Sequence, residues 1–170
     1  MTLRAQIEKA FAHRAMPANV VEPRTAVTPE QRDALWFIGR DWRAVVWQDW
    51  ERHPDAFYTF VPKAFAFYLP SVLIGALDAP NGLLAAEALV GVLDRSPAIS
   101  NWDLFLRTRL LGLMAGEYDA LKAWLLARSA LPAAEDDASL GRAYRTVEML
   151  EHETARLRRQ LNRYVFRPAP

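Results

Sequence analysis

Metal binding and acid/base catalysis need imidazoles and carboxylates brought close together, and this chain has only three histidines, His13, His53 and His152. They fall in separate stretches, with neither the H-x-x-x-H nor the H-E-x-x-H spacing that sets two imidazoles on one helical face. His53 is the one with an aromatic and acidic setting, between Glu51 and Asp55. Its ordinary reading is a residue at a helix end beside Pro54. Two carboxyls held apart can share acid and base work, which makes Asp49 with Asp55, or Glu51 with Asp55, a formal candidate pair. The same letters describe a charged face neutralised by Arg40, Arg43 and Arg52. Tyr68 beside Pro70 could shape a ligand groove, because a proline inside a helix frees a carbonyl one turn back. Core packing of the ring, with the hydroxyl bonded to neighbouring backbone, accounts for Tyr68 equally well. His53, Asp55 and Tyr68 are therefore the residues of a candidate ligand pocket, near the Asp49 and Asp55 carboxylates, in an alternative reading as an enzyme or small-ligand binder.

Other chemistries have less support. The absence of cysteine removes a disulfide framework, a thiolate zinc site and a cysteine nucleophile together. The seven glycines form no nucleophile elbow, phosphate loop or dinucleotide fingerprint. No residue is assigned as catalytic or as a metal ligand, and no cofactor is implied.

The elements that must position these residues are helical. A chain of 170 residues that is 52% hydrophobic, with six Trp, eight Phe and five Tyr, has the means to bury a core as one domain. Thr2 precedes an amphipathic stretch carrying Leu3, Ile7, Ala10 and Phe11, which ends before Pro17. After a loop over 17–27, Thr28-Pro29-Glu30-Gln31 supplies a capping hydroxyl, a proline at the first helical position and a capping-box glutamine, so a helix starts there and stops near Gly39. Residues 41–58, dense in aromatics and interrupted by Pro54, read as short turns. Pro62 opens an apolar helix expected to kink at Tyr68 to Pro70 and to continue to Leu77. Its nearly uncharged run of about 14 residues is shorter than the ~20 that span a bilayer.

Residues 83–93 are apolar on nearly every side, which suggests a central buried helix. Ser100 with Asp103 can cap the next helix, and Gly116 separates it from the stretch 118–126. The final helix is expected over 137–166, with Leu140, Val147, Thr154 and Leu161 in one heptad set and Ala143, Leu150, Leu157 and Tyr164 in the other. The expected fold is all-α: a compact bundle of about seven helices, with a proline-kinked central helix and a long heptad-patterned C-terminal helix. Residues 1–136 form its body, and the last helix packs on the body or pairs two copies as a homodimer.

A set of letters recurs with a family pattern: Trp42-Arg43, then His53-Pro54-Asp55-Ala56, then Ala64-Phe65-Ala66-Phe67-Tyr68-Leu69-Pro70, then Phe105-Leu106-Arg107 and the leucines from Leu121 to Leu126. In this the stretch 42–126 resembles an uncharacterised family of small bacterial proteins, with Tyr-Leu-Pro as its specific element. The resemblance implies an all-helical cytoplasmic domain and no assigned activity. Where the family has Ser or Thr and Pro-Glu ahead of Ala-Phe, this chain has Val61-Pro62-Lys63. The C-terminal helix lies outside the resemblance.

Two surfaces suggest binding. Trp42, Arg43, Trp47, Trp50 and Arg52 fall within eleven residues and belong to the types enriched at interface hot spots. On the last helix, steps of roughly 100° place Arg145, Arg156, Arg159 and Arg163 opposite the heptad seam, with Arg142 near its edge. That stripe could meet phosphates, but Glu148, Glu151 and Glu153 dilute it and no aromatics interleave, which disfavours nucleic acid. The N-terminal stretch carries Arg4, Glu8, Lys9 and Arg14 where a secretion signal needs an apolar region, so a cytoplasmic location is expected. The function expected is that of a non-catalytic protein-binding factor, in one concrete form an immunity protein that blocks the surface of a bacterial toxin.

Overall fold

The computed structural model describes residues 1–23, 27–130 and 137–165. Among them the chain forms nine α-helices and two 3-10 turns, and the only β pairing is an isolated bridge between Pro80 and Gly82. The protein is all-α.

Helix starts follow local chemistry. Helix α1 (Leu3–Phe11) begins where the Thr2 hydroxyl accepts from the Ala5 N–H. Helix α2 (Pro29–Leu35) begins with both halves of the capping box in place: Thr28 Oγ1 accepts from the Gln31 N–H, and Gln31 Oε1 accepts from the Thr28 N–H. These contacts satisfy donors that a helix otherwise leaves orphaned. Helix α2 ends at Leu35, short of the stop expected near Gly39, and turns lead on to Gly39, at φ +71°.

The aromatic stretch folds into a 3-10 turn at Trp42–Ala44 and the short helices α3 (Trp47–Arg52) and α4 (Ala56–Thr59). Helix α5 (Pro62–Asp78) follows and runs through Pro70 without a break. Every residue from Ala64 to Leu73 is buried, as befits a helix apolar on all sides. Around it pack α1, α3, α6 (Leu84–Leu93) and α7 (Leu104–Leu110). The Asp103 carboxylate alone caps α7, accepting from the Leu106 N–H; Ser100 lies in a separate 3-10 turn, Ile99–Asn101. Helix α8 (Ala115–Ser129) takes in Gly116, which sequence reading had made a separator. The break comes one turn earlier, where the Glu117 carboxylate accepts from the Met114 N–H and fixes the true start.

Helix α9 (Asp137–Val165) packs on α6 and α8. Its seam is buried at Leu140, Ala143, Val147, Leu150 and Thr154, becomes half-buried at Leu157, and is 64% exposed at Leu161. The heptad pattern thus serves the body of the same chain for most of its length. Phe166 and the side chains of Arg163 and Tyr164 lie outside the described residues, as do 24–26 and 131–136.

Candidate partner-binding groove

Phe37 is the hub of the aromatic core, with its ring centroid 4.8 Å from Trp50, 5.2 Å from Phe60 and 5.2 Å from Tyr68. The arrangement decides the fate of several sequence-predicted residues. Trp50, expected at a partner surface, is 1% exposed and donates its indole N–H to Ser71 Oγ at 3.1 Å. Trp42, expected there too, is also 1% exposed. Both belong to the core, because a short helix and turn laid over α5 bury more apolar area with their largest rings inward than outward.

The other three members of that set behave differently. Trp47 is half-buried, and Arg43 and Arg52 are exposed. The Arg43 guanidinium lies 4.3 Å over the Trp42 ring and pairs with Asp41 at 3.3 Å. Arg52 pairs with Asp49 at 3.1 Å. Asp49 itself is buried, and its carboxylate accepts from the Val46 N–H at 3.0 Å, which starts α3. It serves as a helix cap, leaving Glu51 and Arg52 as the charged face.

The residues of the candidate ligand pocket are committed to other partners. Tyr68 is 1% exposed, walled by Phe37, Phe60 and Phe67, and its hydroxyl donates to the carbonyls of Phe37 and Arg40. Burial pushes the phenol up to about 12. His53 stacks on Trp36 with centroids 4.7 Å apart, stands 6.2 Å from the Phe37 ring, and has Nδ1 3.4 Å from Asp33 Oδ1. Asp55 is exposed, and it is its backbone N–H that donates to Asp33 Oδ2. Asp33, which sequence reading missed, is thus the organiser of the segment 53–55; twenty residues separate it from His53, so no local spacing could reveal it. Among the described residues no three or more His, Cys, Asp or Glu are grouped to hold a metal ion, and no helix is long and apolar enough to cross a membrane.

What the Trp/Arg segment does build is one wall of a groove of about 270 Å³, closed by α1 and α5. Trp42, Val46, Trp47 and Gly75 supply its apolar surface, and Arg4, Arg43 and Asp78 its polar rim. Arg4 reaches from α1 to Asp78 at the end of α5, N to O 2.5 Å, with both side chains close to half exposed. Val46 is 50% exposed. The Trp42 indole N–H is buried without a hydrogen-bond partner, a state that costs about 1–3 kcal/mol for a buried donor.

Gly75 sets how closely α3 approaches α5. A Cβ there would stand 3.2 Å from Leu83 Cδ2 and 3.4 Å from Trp47 Cβ. A valine at this position is expected to push Trp47 outward and to cost about 1–3 kcal/mol, the usual penalty of overpacking. Urea denaturation of Gly75→Val checks this, and unchanged stability would show that the helices have slack at the contact.

No protein-family model matches the chain, and comparison with curated proteins and with solved structures returns no significant match. The groove must be read from its own residues.

Proposed function

We propose that this protein is a non-catalytic binding factor that docks a segment of a partner protein in the groove between α1, the 42–46 turn, α3 and α5. The observation that carries the reading is the mouth of the groove, where exposed Val46 and half-buried Trp47 stand between Arg43 and the Arg4–Asp78 pair. A partner segment that seats an apolar side chain on Val46 and Trp47 would take out of water the apolar surface that the chain itself leaves open there. Arg43 and Arg4, each tied to an aspartate, form a rim with both signs of charge that sets the orientation of the segment without demanding a highly charged partner.

In its concrete form the proposal is an immunity protein that neutralises a bacterial toxin by covering its surface, a task that needs a rigid face and no reactive group. The burial of Tyr68, with its hydroxyl spent on backbone carbonyls, and the pairing of His53 with Asp33 favour binding over the enzyme reading, which needs at least two of the candidate groups free in one concave site. We also propose, on the letters Tyr68-Leu69-Pro70 alone, that the chain belongs with the uncharacterised small bacterial family it resembles.

The test uses the product of the adjacent gene as the partner. Val46→Asp and Trp47→Ala are each expected to weaken its binding about thirtyfold or more, the scale of an interface hot spot, while Leu126→Asp on α8 leaves it intact. Binding that survives both groove variants and is lost with Leu126→Asp would overturn the assignment.

A further inference from the structure

A second groove, of about 310 Å³, opens where the end of α6 meets α9, and it shares no lining residue with the first. Its charged lining consists of three arginines, Arg95, Arg142 and Arg145, against one carboxylate, Asp94. The Asp94 oxygens are already engaged: Oδ1 accepts from Arg142 Nε, and Oδ2 accepts from Arg142 Nη2 at 2.9 Å and from Ser139 Oγ at 2.8 Å. The Arg142 guanidinium beside it holds the Asp94 carboxyl below the usual carboxylate range, so it stays charged and keeps that fork in place.

The other two arginines retain donors. Arg95 gives Nη2 to Asp103 at 2.8 Å, but its Nε is buried with no hydrogen-bond partner. Arg145 is exposed and spends only Nε, on the Gly141 carbonyl of its own helix, which leaves both terminal nitrogens available. The Ser96 hydroxyl accepts from the Ala98 N–H, and its own proton is not committed to another group. Pro97 and the half-buried Met149 add apolar surface beside these donors.

We infer that this groove binds a small phosphate monoester, with the phosphate between Arg95, Arg145 and Ser96 and an apolar body against Pro97 and Met149. A tetrahedral dianion can accept from three directions at once, which suits donors drawn from two separate elements, and forked guanidinium groups are well matched to phosphate oxygens. Arginine supplies the excess positive charge of the lining, and the volume lies at the small end of ligand clefts, which run from ~300 to 1,000 Å³.

Phenyl phosphate titrated into the full chain and followed by calorimetry and phosphorus NMR tests the inference. The expected result is saturable binding at a single site, weakened about tenfold or more by Arg145→Gln and by Arg95→Gln, and unchanged by Arg159→Gln farther along α9. Arg145 is exposed, so its replacement leaves the fold intact, which a circular dichroism spectrum of the variant confirms. Absence of saturable binding, equal loss with Arg159→Gln, or equally tight binding of benzoate would each overturn it. Val46→Asp is expected to leave phosphate binding untouched, which keeps this result separate from the fate of the protein-docking groove.

Discussion

Replacing Glu117 with alanine is expected to lower the stability of the chain by about 3 kcal/mol, the scale found when one partner of a buried ion pair is removed. Glu117 is 0% exposed, lies in the first turn of α8, and three groups converge on it. Arg14 donates Nε to Oε1 at 2.6 Å and Nη2 to Oε2 at 2.5 Å; the Met114 N–H donates to Oε2 at 2.7 Å; His13 Nε2 stands 3.6 Å from Oε1. Alanine leaves the Arg14 guanidinium, only 21% exposed, without its counter-charge and the α8 terminus without its cap. Since Arg14 lies just beyond α1, the seating of the N-terminal helix on α8 loosens as well. Urea midpoints compared with those of Glu151→Ala check the claim. Glu151 pairs with Lys122 near the surface, and its loss is expected to cost under ~1 kcal/mol. Equal effects of the two variants would show that burial adds nothing to the Glu117 pair.

Raising the pH from 10 to 12 is expected to remove about 4 kcal/mol of stability through two buried phenols. Burial is the leading cause that pushes both Tyr68 and Tyr118 up to about 12 from the ordinary 10.0. The Tyr118 hydroxyl donates to the Leu110 carbonyl and lies 2.8 Å from Thr154 Oγ1, which ties α9 to the end of α7. A folded-state value above the unfolded one means that the folded chain holds these protons more tightly. The contribution is therefore whole below pH 10 and is lost as the pH climbs through 12. Each phenol is worth about 2.7 kcal/mol once its loss is complete, about 2 kcal/mol of it between pH 10 and 12, and both side chains are 1% exposed, so solvent screening takes little from it. Denaturant midpoints measured across this range, with tyrosinate absorbance recorded in parallel, should fall steeply for the native chain and less steeply for the double variant Tyr68→Phe, Tyr118→Phe. Identical slopes would mean that other groups govern the alkaline limit.

Much of the helical framework was legible because its signals are local. Thr2, Thr28 and Asp103 announce helix starts through contacts that span three residues, and Pro54 and Pro62 punctuate the aromatic stretch in the same way. Gly116 misled for the same reason: a glycine can mark a break, but the cap that sets the boundary comes from Glu117, whose burial depends on Arg14 more than a hundred residues away. Ser100 was a plausible cap by type, and the backbone offered that role to Asp103 instead.

The binding surfaces were legible only in part. The sequence marked 42–52 as the segment to watch, and the groove does include Trp42, Arg43 and Trp47. It could not say which rings face inward, since a hot spot and a core anchor are made from the same residues. The Arg face of α9 was visible as a stripe, yet the groove at its root depends on Arg95, which comes from the chain after α6.

By itself, then, the sequence determined that this chain is helical, where most helices begin, and that one long helix carries a seam, because hydrophobic period and capping are properties of neighbours along the chain. Only the tertiary structure decided that the seam packs on α6 and α8, that Trp42 and Trp50 are interior, that Glu117 is held by Arg14, and that Asp33 takes His53 while backbone carbonyls take Tyr68. Those outcomes depend on which surfaces meet when every helix buries its apolar side at once, and that competition involves residues too far apart in sequence for any local pattern to record.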